Sequence, residues 1–594
     1  KGILTMRISS HVQFQHCLHS ETLVQGTVLV HQGQTLSKCC ILLEGQLTAV
    51  LKDAELERSV ELPIEFQQGQ LIFSEEFLSN TESKCDVIAN TDCKLLVLDK
   101  NSFTALQEEP EQLKEFYSLA MTSVLQQNKA LAELAQNNLM SKASIPEVDF
   151  MVERSVVAYK ELQSLPETKI DEVILAVANA VNDQAERFSL DTVQESSMGV
   201  AAHKQLKIQL GTIEVANSLL GKPGLGQSFS VNENNGSNGS EINQENVQEM
   251  AQSMGVVFAM IPVTNPVETL TFKFLSALKS RNSVIMSSHR KAQNVGKACV
   301  LLIQKILKQH GLNENIIQTP QMPPSRAITN AFMTHKKVNF ILATGGPSMV
   351  HSAYCSGTPA IGVGKGNAPV WISSDANVND AAINVVASKS FDNGIVCGSE
   401  NNLILDNTIS SEFFERAIEQ GAAVLDEEEI TRLLTEVFSS GALDARWVGR
   451  SAADIAEFAQ IYRPYDIKLL LASVLDGDLS SPLLKEKLAP VLSVSIMDTD
   501  EQALKLAKTI LQNEGAGHTA IVYSQDMVRI KNYASMVDVS RVLVNTPGTQ
   551  GCIGAANGLK LSWTLGCGTQ GGGSTSDNVT YEHLMNVKRI AYNA

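Results

Sequence analysis

The sequence predicts an α/β protein with parallel sheets, preceded by a small β jelly-roll domain and a long helix. Three observations predict it. Residues 1–108 alternate short apolar runs with turns at Gly26, Gly33, Gly45 and Gly69, as many short strands in a small barrel or jelly roll do. From Pro110, Leu113, Phe116, Ala120, Val124, Leu131 and Leu134 keep helical spacing. From about residue 148 to the end, strand–turn–helix units succeed one another, which implies a parallel sheet with helices on both faces.

Taken in order, "TVLVHQG", "CCILLEGQLTAVL" and "CKLLVLD" supply strands of the first domain. Segment 109–147 is read as a helical linker, with Pro110 suited to a first helical position. Such a helix packs on its own domain or pairs with a second copy, and pairing is the preferred reading. "EVDFMVERSVVAYKEL" and "IDEVILAVANAVNDQAERFS" are helices; "SVIMSSHRKAQNVGKACVLLIQKIL" and "VNFILATGGPSMVHSAYCSG" each read strand, turn, helix. The Asn/Gly-rich insert "SVNENNGSNGSEINQENVQ" (230–248) is expected to be a surface hairpin or loop without chemistry.

At 594 residues the chain exceeds one ordinary core, and three or four structural domains are expected. A net charge of −17 without a dense Lys/Arg run argues against nucleic acid or an anionic membrane as partner. Apolar stretches such as "VVFAMIPV" (256–263) are too short to cross a bilayer. Five of the ten cysteines fall early (Cys17, Cys39, Cys40, Cys85, Cys93), without CxxC pairs or histidines at zinc spacing. No metal site is expected. Without a signal-peptide pattern after Lys1, reduced thiols in the cytoplasm are expected.

"VLVHQGQTLSKCCILLEGQLTAVL", "FQQGQLIFSEEFL" and "DVIANTDCKLLVLDKNSFTAL" resemble the cyclic nucleotide-binding domain family. In that family a Gly-Glu pair serves the ribose, and an Arg with helix-terminal amides serves the cyclic phosphate. Here Glu75 and Glu76 remain, Ser74 replaces the glycine, and Ser83-Lys84 stand where the Arg is expected. Lysine offers charge but no bidentate fork. Millimolar cyclic-nucleotide binding at best, and a docking or assembly role, are the expectation.

"IPVTNPVETL" (261–270), "SRNSVIMSSHRKA" (280–292), "ATGGPSMVHSAYCSGTPAIGVGKGNAP" (343–369), "FDNGIVCGSE" (391–400) and "LGCGTQGGGSTSDNVTYEHLMNVKRIA" (565–591) occur in that order. Together they resemble the CoA-acylating branch of the aldehyde dehydrogenase superfamily, most closely the aldehyde dehydrogenase half of bifunctional aldehyde-alcohol dehydrogenases. The resemblance implies a cofactor domain at 148–390, a catalytic domain at 391–565, and an active-site loop with an oligomerisation segment at 566–594. It implies Cys397 as nucleophile and Asn265 as oxyanion donor, with the cysteine's own N–H. Gly345 and Gly346 would meet the pyrophosphate of NAD (or NADP) at a helix N-terminus. Ser288, His289 and Arg290 would face the adenosine portion, and Glu486 the nicotinamide ribose.

Hydrolytic members carry a glutamate base in a Glu-Leu-Gly-Gly-Lys segment; here "GVGKGNAP" has Gly362 at about that place and no carboxylate before Asn367. The resemblance therefore implies coenzyme A as acyl acceptor, with His518 of "GAGHTAIVY" moving the thiol proton. The iron-dependent alcohol dehydrogenase half is not matched. Gln570 and Gly573 depart from the usual tail loop, which leaves the aldehyde open. "HLMNVKRIAYNA" resembles a strand that completes a partner's sheet, implying a homodimer or larger oligomer. The rival readings are a hydrolytic or phosphate-dependent dehydrogenase and a catalytically silent scaffold.

Overall fold

The computed structural model describes residues 19–31, 34, 36–53, 58–66, 71–72, 83, 86–106, 145–225, 247–474 and 478–592. The cassette residues Ser74, Glu75, Glu76 and Lys84, the helix expected from Pro110, and most of the Asn/Gly-rich insert lie outside them. The chain divides into two compact units, Lys1–Ala143 and Ser144–Ala594.

In the first unit the strands are β1 (His19–Leu23), β2 (Val28–Val30), β3 (Lys38–Glu44), β4 (Leu47–Asp53), β5 (Arg58–Glu65), β6 (Leu71–Ile72), β7 (Asp86–Ala89) and β8 (Cys93–Asp99). They form two four-stranded sheets, β1-β8-β3-β6 and β2-β7-β4-β5, whose pairings are antiparallel. Cys39, Cys40, Ile41, Leu42, Val87, Leu95 and Val97 share the core between them. Burial pushes the Cys40 thiol up to about 12, so it is apolar filling at neutral pH.

The second unit holds two parallel sheets. β10 (Val256–Ile261), β11 (Ser283–Ser288), β12 (Ile317–Gln318), β13 (Phe340–Thr344) and β14 (Ala360–Val363) build the first, in the order β12-β11-β10-β13-β14. Every residue of β10 is buried, as expected of a parallel strand covered on both faces. The order reverses between β10 and β13, and in open α/β sheets ligands bind beyond the strand C-termini at such a switch point. Asn265 follows β10, and Gly345-Gly346 follow β13.

The second sheet runs β17-β18-β19-β16-β15-β20-β21, from β15 (Ala368–Ile372), β16 (Glu400–Asp406), β17 (Ala422–Val424), β18 (Leu469–Ser473), β19 (Val491–Met497), β20 (Gly517–Tyr523) and β21 (Val539–Val544). β15 pairs with β16 and β20, which corrects the expected boundary at 390. The division between sheets falls at the Gly364–Gly366 turn, because β15 and the helix Val378–Ser390 pack with the second sheet. β9 (Val247–Ser253) pairs antiparallel with β22 (Met585–Ala591), so Val247 and Gln248 open a strand rather than continue the polar insert.

Candidate active site

A cavity of about 860 Å³ opens where the C-terminal ends of β10, β11 and β13 face the turns leading into β16 and β19. Cys397, Asn265, Glu486, Ser288, His289, Arg290, Gly345 and Gly346 all line it. These eight come from distant stretches of chain; His518, the ninth candidate, is absent from the lining.

Cys397 is half-buried, three residues ahead of β16. The turn before it places Asp392 (φ 49°), Asn393 (φ 55°) and Gly394 (φ 68°) in the left-handed region, which Asn, Asp and Gly tolerate best. Burial pushes the Cys397 thiol well above 9, Cys552, Glu486 and Cys567 add to the push, and Arg541 opposes it. The free site therefore holds a thiol at neutral pH, and the thiolate forms only when its proton has somewhere to go. The Gly366 backbone abuts this residue: a Cβ there would lie 1.9 Å from the Cys397 carbonyl oxygen.

Asn265 precedes the helix Pro266–Lys279, whose first residue is the proline. Its Oδ1 accepts from Lys207 Nζ at 2.5 Å, and its Nδ2 donates to Thr264 Oγ1 at 3.1 Å. The amide nitrogen keeps a second hydrogen for a ligand in the cavity. Lys273 was not singled out by the sequence. Fully buried, its ammonium bridges Met260 O (2.8 Å), Leu342 O (3.1 Å) and Thr344 Oγ1 (2.9 Å), stitching β10 to β13 at the switch point. Burial lowers its pKa to about 7.

The opposite wall suits a dinucleotide. Ser288 lines the cavity, while its Oγ is buried against Gly296, where a Cβ would lie 2.2 Å from it. Gly346 immediately precedes the nine-residue helix Pro347–Cys355, and a Cβ on it would meet no protein atom within 4 Å. The bare glycine thus leaves the backbone open to an anion at the helix N-terminus. Among the described residues, Glu486 is the only carboxylate lining the cavity. Its Oε1 accepts from Gly366 N at 3.1 Å. Burial raises its pKa to about 7, with Lys365 opposing and Glu514 adding.

Gly362 has no room for a side chain: a Cβ would lie 2.4 Å from Val350 Cγ1 and 2.9 Å from Tyr354 Cε2. A glutamate at that position needs a different wall. His518 sits inside β20, its Nδ1 2.9 Å from Thr519 Oγ1 and its Nε2 buried without a partner. Burial, helped by Arg541, lowers its pKa to about 3. His518 thus stands apart from the other eight candidates, off the cavity lining and buried in β20. A "GHT" at the head of a wholly buried strand reads the same in sequence as one in a loop.

A second, apolar pocket of about 270 Å³ adjoins the cavity and shares Val396, Ile553 and Trp563 with it. Leu206, Leu210 and Phe391 extend it, and Glu214 contributes the one carboxylate. Among the described residues, no group of three His, Cys, Asp or Glu is placed to hold a metal ion, and no helix is long and apolar enough to cross a membrane.

Residues 133–429 match the family model described as "Aldehyde dehydrogenase family", and residues 20–109 match "Cyclic nucleotide-binding domain". The chain is 34% identical over 461 residues to the bifunctional aldehyde-alcohol dehydrogenase of Escherichia coli (strain K12), covering 77% of this chain and 50% of that protein. It thus spans about half the length of that relative. It is 34% identical over 443 residues to the succinate-semialdehyde dehydrogenase (acetylating) of Clostridium kluyveri, covering 74% of this chain and 95% of that one. Among solved structures, the propionaldehyde dehydrogenase of Rhodopseudomonas palustris, with bound CoA and an acylated cysteine, aligns with a TM-score of 0.66 at 26% identity. The alignment covers 75% of this chain and 97% of that one.

Proposed function

Because this chain belongs to the aldehyde dehydrogenase family, we propose that it is a CoA-acylating member, interconverting aldehyde + CoA + NAD(P)⁺ with acyl-CoA + NAD(P)H + H⁺. The observation that carries the reading is one cavity shared by a cysteine and an amide donor, with no space for a glutamate at Gly362. A nicotinamide dinucleotide, when bound, accepts the hydride, and the coenzyme A thiol accepts the acyl group. Ser288, His289, Arg290, Gly345, Gly346 and Glu486 would hold the dinucleotide.

In this proposal the Cys397 sulfur adds to the aldehyde carbonyl, and the new oxyanion receives hydrogen bonds from Asn265 Nδ2 and the Cys397 N–H. Such a donor is worth roughly 10²–10³ in rate. Collapse leaves an acyl thioester on Cys397. Glu486, with a pKa of about 7, is the cavity group best matched to take the thiol proton at neutral pH. The adjoining pocket, largely apolar with Lys207 and Glu214 in its lining, would take the aldehyde's carbon chain. The proposal includes a cytoplasmic homo-oligomer in which β22 takes part.

Glu486 also favours a second reading, hydrolysis, since a carboxylate near pKa 7 can activate water. Rapid mixing of enzyme, aldehyde and NAD⁺ decides between them. The acylating enzyme gives one NADH per active site and then nearly stalls until CoA is added. Sustained turnover without CoA, as fast as with it, would establish hydrolysis instead.

A further inference from the structure

We propose that Lys207 is a positioning residue for the oxyanion site: its buried ammonium fixes the Asn265 amide and ties it to the turn that carries Cys397. This rests on the assignment of Cys397 as nucleophile above. Lys207 Nζ lies 2.5 Å from Asn265 Oδ1, 2.5 Å from Asp392 Oδ2 and 3.2 Å from Glu268 Oε1. Asp392 belongs to the left-handed turn ahead of Cys397, and Glu268 to the first turn of the helix that Asn265 precedes. Lys204 Nζ reaches Asp392 Oδ2 at 3.0 Å, and Val200 N donates to Asp392 Oδ1 at 2.7 Å. One cation therefore touches both halves of the catalytic geometry.

The chemistry makes the contact directional. A side-chain amide fits its site nearly equally well with oxygen and nitrogen exchanged, but only one orientation offers a donor to an oxyanion. An ammonium has three donors and no acceptor, so it can meet only Oδ1. Nδ2 is then turned to Thr264 Oγ1 and the cavity. A charge-assisted bond on the amide oxygen also polarises the N–H, making it a stronger donor.

Burial explains the two carboxylates. Lys204, Lys207 and Asp392 have almost no exposed side-chain surface, and neither does Glu268. A lone ammonium there would lose its proton, whereas two lysines facing two carboxylates sum to zero charge. The neighbouring acids hold the Lys207 proton in place against burial. The cluster thus presents a fixed donor to Asn265 without placing net charge beside the cysteine.

The test uses two reactions of the full chain. Acylation of Cys397 by p-nitrophenyl acetate passes through the same oxyanion and needs neither dinucleotide nor CoA. The sulfur bonds to the acetyl carbon, and p-nitrophenolate leaves as the thiol proton is released. Acyl-CoA reduction by NADH reads the proposed function separately. Lys207→Met should slow the p-nitrophenolate burst about 10–100-fold, less than the roughly 10²–10³ of a lost oxyanion donor because Asn265 itself remains, with the NADH Kd changed less than twofold. Lys207→Met/Glu268→Gln, which removes one charge of each sign, keeps the test open if the single variant folds poorly. Lys279→Met is the control, another buried lysine between two carboxylates (Glu167 at 2.5 Å, Asp171 at 2.7 Å). It should lose stability and keep the burst rate.

In an Asn265→Ala background, Lys207→Met should cost less than about threefold more, because the group it orients is gone. Independent, multiplying losses would overturn the proposal. So would an unchanged burst in both Lys207 variants, an equal loss in Lys279→Met, or no burst in the wild type. A wild-type burst without CoA-dependent turnover would overturn the acylating reading and leave the positioning role standing.

Discussion

Gly366→Ala isolates the fit between the Gly364–Gly366 turn and Cys397, the proposed nucleophile. The added Cβ would lie 1.9 Å from the Cys397 carbonyl oxygen and 2.9 Å from its carbonyl carbon, both backbone atoms. A carbon and a carbonyl oxygen ordinarily approach no closer than about 3.3 Å, so one backbone must retreat by about 1.4 Å. Neither can swing aside as a flexible side chain would. Gly366 N also donates to Glu486 at 3.1 Å, so a shift of the turn disturbs the cavity's one carboxylate as well. Misplacing a reacting group by about 1 Å costs on the order of 10²-fold in rate, and overpacking costs about 1–3 kcal/mol in stability. The expected outcome is a fall of about 100-fold in kcat for acyl-CoA reduction, with a modest loss in denaturant midpoint. Gly346→Ala, whose Cβ meets nothing, should keep its stability and lose affinity for NADH instead. Stopped-flow NADH absorbance and urea titration give both readouts. A Gly366→Ala enzyme retaining more than half of wild-type kcat would refute the claim that this contact sets the position of Cys397.

Cys397→Ser should abolish CoA-dependent NADH formation while NADH titration stays close to wild type, and Cys355→Ala, at an exposed helix end, should remain active. Glu486→Gln should be more stable than wild type above pH 7 and nearly equal to it below pH 4.5. The folded carboxyl holds its proton to about pH 7 and the unfolded one to 4.5, so the wild type loses up to about 3 kcal/mol between those values; urea midpoints at pH 4.5 and 8 measure it. Cyclic AMP should bind no tighter than millimolar, because an Arg-less cassette forgoes a bidentate charged contact. Deleting residues 1–140 should change oligomer size in light scattering while the Cys397 burst persists; micromolar calorimetric affinity, abolished by Lys84→Ala, would reverse that reading.

The parallel sheets were legible because buried strands such as Val256–Ile261 are unbroken apolar runs between turn residues. The cavity's residues were named through the resemblance of five sequence blocks, and the fold gives a reason that those blocks cluster. Asn265, Ser288 and Gly345-Gly346 lie where strands β10, β11 and β13 end, and strand ends are marked by local turn chemistry. The domain boundary was not legible. β15 is an ordinary apolar strand, and nothing in "APVWI" says which of two parallel sheets it joins. His518 stands off the lining for the opposite reason: its tripeptide is conspicuous, but its burial depends on β21 and Arg541, whose guanidinium donates to the His518 carbonyl at 2.8 Å.

The buried lysines were the largest omission, and the omission follows from how sequence is read. Lysine is almost never fully buried unless paired, so "AHKQLKIQ" reads as a helix with a solvated basic face. The residues that overturn this are distant: Asp392 lies 188 positions from Lys204, and Asn265 lies 58 from Lys207. Lys273, Lys389 and Lys487 are likewise wholly buried, the first and last bonded mainly to backbone carbonyls and Lys389 to Lys487 O, Ser399 and Asn401. One signal was present in the sequence. Lys204 and Lys207 stand three apart on one helical face, the spacing that lets two side chains reach a common target. The turn "FDNG" puts a carboxylate into a left-handed conformation that needs outside support. The lysine pair has no acid close to it in sequence, and the one base close to Asp392, Lys389, bonds to Lys487 O instead; the two features become one when Asp392 is taken as the partner of Lys204 and Lys207.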